Sequence, residues 1–125
     1  MKQLRIGTRG SALALVQARL AETALRDAFP DVETEIVPLV TSGDRGFDTE
    51  AARRAPAGVK GLFTREIEAA LLRGEVDVAV HSCKDLPGEL PEGLLLAAAL
   101  ERAPVDDLLI TRMPAAALGT IPDGA

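Results

Sequence analysis

The stretch LRIGTRGSALALVQARL, residues 4–20, decides the fold because it joins a strand pattern directly to a helix pattern. Residues 4–8 form a short segment with apolar Leu4 and Ile6, which predicts a first β-strand. Ser11 follows at a position where its hydroxyl can cap a helix. Apolar residues then recur at helical spacing from 12 to 29, which predicts a helix whose apolar face is formed by Leu13, Val16, Leu20 and Ala24.

The alternation of strand and helix patterns continues along the rest of the chain. Residues 32–40 predict a second strand, and residues 62–73 predict a second helix that ends at Gly74. Between them lies a predicted loop at 41–61, rich in glycine. The inward residues of the second helix are predicted to be Phe63, Ile67, Ala70 and Leu71. Apolar runs predict further strands at 76–80, at 94–100 and at 107–111.

This order predicts an α/β fold, with a mostly parallel sheet flanked by helices. In such sheets, ligands bind beyond the carboxyl ends of the strands. Three polar clusters follow the predicted strands, at residues 8–11, 41–44 and 81–85. We therefore expect residues that are distant in sequence to meet at one edge of the sheet.

Composition narrows the classes of partner. The chain has 125 residues and a net charge of −5, which argues against nucleic acid and anionic membranes. Gln17 and Arg19 interrupt the longest apolar run, so no membrane span and no signal peptide are predicted. One cysteine and one histidine offer no disulfide and no metal site. These features predict a soluble cytoplasmic protein.

Two of the basic segments suit a small anion. Arg9 and Ser11 precede the first helix, where backbone N–H groups and the helix dipole favour an anion, although an ordinary N-cap beside a solvated arginine explains them equally well. Lys60 stands between Gly58 and Gly61 without the spacing of a phosphate-binding loop. It fits either a mobile basic lid over a ligand or a disordered loop with solvated charges.

The segment HSCKD, residues 81–85, is the most informative cluster. Lys84 and Asp85 at a strand end can bind an anion and supply an acid or base, but a surface ion pair is the alternative interpretation. His81 and Cys83 resemble a nucleophile with its base. No third residue in the sequence orients them, which disfavours a cysteine hydrolase and leaves His81 as a structural residue.

Four segments taken together resemble the porphobilinogen deaminase (hydroxymethylbilane synthase) family: IGTRGSALA at 6–14, VTSGD at 40–44, KGLF at 60–63 and VHSCKDLP at 80–87. The resemblance implies a periplasmic-binding-protein-like α/β lobe that faces a second lobe across a cleft holding a dipyrromethane cofactor. It implies that residues 1–100 form this first lobe, and that residues 101–125 are the hinge crossing and the start of a truncated second lobe.

The function implied by the resemblance is that of a transferase of tetrapyrrole and heme biosynthesis. It condenses four porphobilinogen units head to tail to hydroxymethylbilane and releases ammonia. The resemblance makes Asp85 the catalytic residue. The cofactor-binding residues would be Lys84, Asp85, Ser11 and Asp44, and the substrate-binding residues Arg9, Ser11 and Lys60. No metal is implied.

Two positions depart from the family pattern: Cys83, where the family often has methionine, and Val59, where it usually has glycine. The cysteine that anchors the cofactor is expected outside this chain, so the isolated chain is expected to be inactive. The full-length enzyme is expected to be a monomer, whereas the shorter chain has an exposed sheet edge through which two copies can associate.

Two other functions remain open from the sequence. A lobe of this kind can capture a small anion without chemistry, or can belong to a regulatory paralogue that has lost catalysis. Asp85 discriminates between capture and catalysis, because a site that only captures carboxylates has no need for a carboxylate of its own.

Overall fold

The computed structural model of the chain describes residues 3–45 and 63–106. In chain order these residues form β1 (Gln3–Arg9), α1 (Ala12–Ala28), β2 (Glu33–Leu39), the one-turn helix α2 (Ser42–Arg45), α3 (Arg65–Leu72), β3 (Val78–Ala79) and a 3-10 turn (Cys83–Asp85). The strands form one sheet in the order β2-β1-β3, and both pairings are parallel. The predicted α/β fold with a parallel sheet is therefore confirmed.

Strand β1 lies at the centre of this sheet. Ile6 is fully buried, and it pairs with Ile36 on one side and with Val78 on the other. The next residue, Gly7, allows β1 to approach Val76, because a Cβ at Gly7 would lie 3.0 Å from Val76 Cγ2. A larger side chain at this position would push the third strand away from the central one.

The third strand is shorter than the sequence predicts. Only Val78–Ala79 is paired as a strand, whereas the apolar run covers 76–80. Two backbone hydrogen bonds continue the contact with β1, since Asp77 N–H donates to the Arg5 carbonyl and Val80 N–H to the Gly7 carbonyl, each at 2.9 Å. The whole run is thus held against β1, although its regular pairing is brief.

The predicted apolar face of α1 is wrong, because the structure exposes it. Leu13, Val16 and Leu20 are all more than half exposed, and Ala24 is exposed too. The helix instead buries Ala18 fully, with Ala14 and Ala21 half-buried beside it. Because α1 is apolar on most of its circumference, periodicity alone does not choose the buried face, and the small alanine side chains allow the closest approach to the sheet.

Helix α3 follows the prediction more closely. Ile67 and Ala70 are fully buried, and Leu71 is half-buried. Phe63, which was predicted to belong to this helix, lies before its first residue. At the other end Gly74 has a φ of 69°, and the N–H groups of Gly74 and Glu75 donate to the carbonyls of Leu71 and Ala70. These two bonds form the Schellman motif, and they confirm Gly74 as the terminating residue.

The predicted strand at 94–100 is wrong. These residues lie outside the sheet, and Leu95 is 78% exposed. An apolar run without alternation does not by itself specify a strand. The predicted loop at 41–61 begins with α2 instead, and its remainder lies outside the described residues, as does the predicted strand at 107–111.

The boundary predicted near residue 100 stays a prediction. Residues 101–106 are exposed, and the positions beyond them are outside the described part of the chain. Of the helices in the two described ranges, none combines the length and apolarity that crossing a membrane requires.

The positive φ at Gly74 predicts a measurable cost for any side chain there. Gly74→Ala should lower the free energy of unfolding by about 1 kcal/mol, because the left-handed conformation brings Cβ against the following carbonyl oxygen. Gly88→Ala is the matched control, since Gly88 has no positive φ and a Cβ there would meet nothing within 4 Å. Urea unfolding followed by circular dichroism measures both. Equal stabilities of the two variants would contradict the assigned helix end.

Candidate active site

The parallel sheet brings the carboxyl ends of its three strands to one edge. Arg9 is the last residue of β1, Thr41 and Asp44 follow β2, and the 3-10 turn follows β3. The three polar clusters predicted from the sequence therefore lie at the same edge of the sheet. Helix α1 also begins there, directly after β1.

Arg9 grips a carboxylate within the protein itself. Its Nε and Nη2 atoms donate to Asp44 Oδ1 at 3.1 and 2.5 Å, and the two side chains are 22% and 24% exposed. The guanidinium also lies over the ring of Phe63, with 4.0 Å between Cζ and the ring centroid. Stacking fixes the plane of the guanidinium, so that its fork is preorganised for a carboxylate.

Asp44 is held from two sides. Besides the Arg9 fork, the hydroxyl of Thr41 donates to Asp44 Oδ2 at 2.7 Å, and Thr41 is fully buried. The hydrogen bond from the Arg9 guanidinium is the largest cause of a lowered pKa for Asp44, and the Thr41 bonds add to it. Asp44 is therefore ionised at neutral pH.

Helix α2 is docked against the start of α3 by close contacts. The backbone N–H of Ser42 donates to Glu66 Oε1 at 2.8 Å, and the Ser42 hydroxyl donates to the same oxygen. Gly43 packs against the Phe63 ring so closely that a Cβ would overlap with it. A glycine is required at this position because the ring fills the space, and the same ring supports Arg9.

Ser11 is the N-cap residue of α1, as the sequence predicts. Its hydroxyl accepts a hydrogen bond from the Ala14 backbone N–H at 3.4 Å. Strand β1 also contacts the first turn of α1, because the buried Thr8 hydroxyl donates to the Ala14 carbonyl at 3.3 Å. The N-terminus of a 17-residue helix thus lies at the strand-end edge, where its dipole favours an anion.

The 3-10 turn carries Lys84 and Asp85. The Asp85 N–H donates to the Ser82 carbonyl at 2.9 Å, and this bond closes the turn. Lys84 is exposed and Asp85 is half-buried. Cys83 is a free, exposed thiol.

The pKa of His81 responds to charged groups on several segments of this edge. Burial lowers its pKa, the carboxylates of Glu68 and Asp85 act in the opposite direction, and the Arg9 guanidinium lowers the pKa further. The imidazole is therefore neutral at pH 7 and lies within electrostatic range of Asp85 and Arg9. Glu68 was not singled out by the sequence, because a glutamate on a helix is usually solvated.

One predicted site residue and one surface groove lie apart from the strand-end edge. Lys60 lies outside the described residues. A groove lined by Gln3, Arg26, Pro30, Val32, Glu33 and Thr34 lies at the amino ends of β1 and β2, and it holds none of the predicted site residues. The polar strand-end edge is thus separate from this groove.

Sequence comparison identifies relatives of the whole chain. Residues 4–125 match the family model described as "Porphobilinogen deaminase, dipyromethane cofactor binding domain". The chain belongs to the porphobilinogen deaminase family. It is 51% identical over 111 residues to the porphobilinogen deaminase of Syntrophomonas wolfei, an alignment covering 89% of this chain and 35% of that protein.

Two further members of the family align over almost the full chain. The porphobilinogen deaminase of Pelobacter propionicus is 47% identical over 124 residues, covering 99% of this chain and 38% of the relative. That of Geobacter sulfurreducens is 45% identical over 125 residues, covering 100% of this chain and 38% of the relative. The chain therefore spans little more than a third of the length of the porphobilinogen deaminases it matches.

The burial of His81 and the charges around it predict the pKa of its imidazole. Since the chain contains one histidine, its imidazole signals in an NMR titration are unambiguous. The pKa should lie below the ordinary value of 6.5, and Asp85→Asn should lower it further by removing a carboxylate that favours the imidazolium. Asp31→Asn, in the exposed turn after α1, is the matched control and should leave the pKa unchanged.

The same shift makes stability depend on pH. The unfolded chain binds a proton to His81 at higher pH than the folded chain does, so the free energy of unfolding should fall as pH drops below 6.5 towards the native pKa. If the pKa of His81 were the same in the Asp85→Asn variant as in the parent chain, the proximity of the two residues would be contradicted.

Proposed function

We propose that this chain supplies the cofactor-binding lobe of a hydroxymethylbilane synthase, a transferase that joins four porphobilinogen units head to tail and releases ammonia. The supporting observation is the position of Asp85, a half-buried carboxylate in the turn after β3, at the same edge of the sheet as Arg9. We further propose that residues 1–100 form this lobe, that the full-length enzyme is monomeric and that it acts in the cytoplasm.

Arg9 and Ser11 are proposed to hold the carboxylates of the incoming substrate ring. The contact of Arg9 with Asp44 supports this role, because two N–H groups of the guanidinium, on Nε and Nη2, donate together to one carboxylate oxygen, Asp44 Oδ1. Ser11 lies at the N-terminus of α1, where negative charge is stabilised. Lys60 is proposed to close over the bound anion from the segment that follows α2.

Substrate binding at Arg9 requires an exchange of carboxylates. Asp44 occupies the fork, so a substrate carboxylate must take its place there. Asp44 keeps its hydrogen bond from Thr41 during this exchange, which lowers the cost of leaving the guanidinium. The proposed role of Asp44 is therefore to hold the fork in its binding geometry until a ligand arrives.

Asp85 is proposed to stabilise charge on the reacting ring. When the C–N bond of the aminomethyl group breaks, its electron pair leaves with the nitrogen as ammonia and the ring becomes electron-poor. A carboxylate beside the pyrrole N–H stabilises that positive charge, and in its protonated form it supplies the proton that the departing amine takes. A bound primer would supply the attacking ring, whose free ring carbon would bond to the methylene carbon that has lost the amine and would give up its own proton.

The residues of this edge suit a dipyrromethane group, whose carboxylates require cationic and N–H donors. Lys84, Ser11 and Asp85 would hold it, with the Lys84 ammonium exposed for a carboxylate and the Asp85 carboxylate for pyrrole N–H groups. When bound, the group supplies the covalent primer to which substrate units are joined. Cys83 is two residues from Asp85, too close for a two-ring primer to extend past it, so we propose that the anchor lies elsewhere and that the isolated chain is inactive.

A second candidate is a lobe that captures small carboxylates without chemistry. The grip of Arg9 on Asp44 favours it as much as it favours substrate binding. Only the role of Asp85 separates the two functions, since the charge of Asp85 would oppose the capture of an anion.

The decisive experiment is an Asp85→Asn change in a chimera that carries residues 1–125 in place of the aligned segment of the Geobacter sulfurreducens enzyme. We expect kcat for porphobilinogen consumption to fall by at least about 100-fold, because the amide has neither the charge nor the titratable proton. Asp31→Asn, the same chemical change at the opposite edge, should leave kcat unchanged. Near-parental turnover by the Asp85→Asn chimera would favour the capture function.

A further inference from the structure

Gln17 of α1 forms a long-range side-chain hydrogen bond with Ser82, the residue before the 3-10 turn. The Ser82 hydroxyl donates to Gln17 Oε1 at 2.9 Å, and both residues are half-buried. Gln17 lies on the second turn of α1, where it interrupts an otherwise apolar run. A half-buried amide in an apolar helix is costly unless it is hydrogen-bonded, so this contact accounts for its presence.

Ser82 uses its hydroxyl in an unusual way. It is the residue before the 3-10 turn, the position at which a serine hydroxyl ordinarily accepts a hydrogen bond from the turn's own backbone. Here the side chain makes no such cap, and it reaches across to α1 instead. The hydroxyl therefore fixes the turn to the helix rather than closing the turn on itself.

The position of Asp85 follows from that of Ser82. The backbone N–H of Asp85 donates to the Ser82 carbonyl at 2.9 Å, so the placement of the Asp85 backbone depends on that of Ser82. Helix α1, in turn, is continuous with Arg9 and Ser11 at its start. The hydrogen bond between Gln17 and Ser82 thus sets the distance between the turn that carries Asp85 and the helix end proposed to hold substrate carboxylates.

We propose that Gln17 is a positioning residue that acts through Ser82 to align Asp85 with the substrate-binding end of α1. This inference rests on the proposed function, because it needs Asp85 to act on a bound ring. A misplacement of about 1 Å in such a group can cost up to about 100-fold in rate, whereas binding at Arg9 and Ser11 is left in place. Loss of the contact should therefore lower kcat and change KM little.

The test uses the same chimera with Gln17→Leu, Ser82→Ala and the double variant. Each single change should lower kcat by about 10-fold and alter KM by less than about threefold. The kcat of the double variant should be no lower than that of the worse single variant, because all three variants remove the same interaction. Ser82→Thr, which keeps the hydroxyl, should restore most of kcat. Thr23→Ala is the matched control: it removes a hydroxyl bond to the Arg19 carbonyl elsewhere on α1 and should leave kcat unchanged.

A second measurement separates positioning from general stability. In the isolated chain, amide exchange at Asp85 should be faster in Ser82→Ala than in Thr23→Ala, because the turn is no longer fixed to the helix. If Gln17→Leu and Ser82→Ala both keep the parental kcat while the Asp85→Asn chimera is inactive, the role of Gln17 is overturned and the proposed function stands. An active Asp85→Asn chimera would overturn the proposed function itself. If Gln17→Leu fails to fold, Ser82→Ala alone decides the question.

Discussion

The parallel pairing of β1 with strands on both of its sides is the constraint on which the rest of the structure depends. Ile6 is buried between Ile36 and Val78, and this register fixes where all three strands end. Because parallel strands end at the same edge, residues far apart in sequence are brought together there. Gly7 makes the arrangement possible on the β3 side by leaving room for Val76.

The chemistry of the edge depends on how one guanidinium is held. Arg9 lies between an aromatic face and a carboxylate, with Phe63 on one side and Asp44 on the other. Phe63 is in turn packed against Gly43, so α2, the start of α3 and the end of β1 meet at a single point. This arrangement keeps the fork of Arg9 oriented, and the neutral His81 adds no competing charge beside Asp85.

Much of this fold follows from local sequence. The strand-helix alternation predicts β1, α1, β2 and α3 because their patterns are regular and their ends carry Ser11 and Gly74, which act as the structure shows. The predicted buried face of α1 is wrong, since apolar residues lie on more than one face of the helix and spacing alone does not choose among them. The run at 94–100 was predicted as a strand on apolarity alone, and apolarity does not supply a pairing neighbour.

The candidate site divides in the same way. Strand ends predict that Arg9, Asp44 and Asp85 share an edge, but no pattern predicts that Asp44 fills the Arg9 fork or that Ser82 binds Gln17, since both contacts join segments distant in sequence.

The most direct test of the shared edge is an NMR titration of the chain with porphobilinogen. Backbone shifts should concentrate at residues 9–11 and 82–85. Shifts confined to the groove beside Gln3 and Thr34, or none at saturating ligand, would contradict a substrate site at this edge.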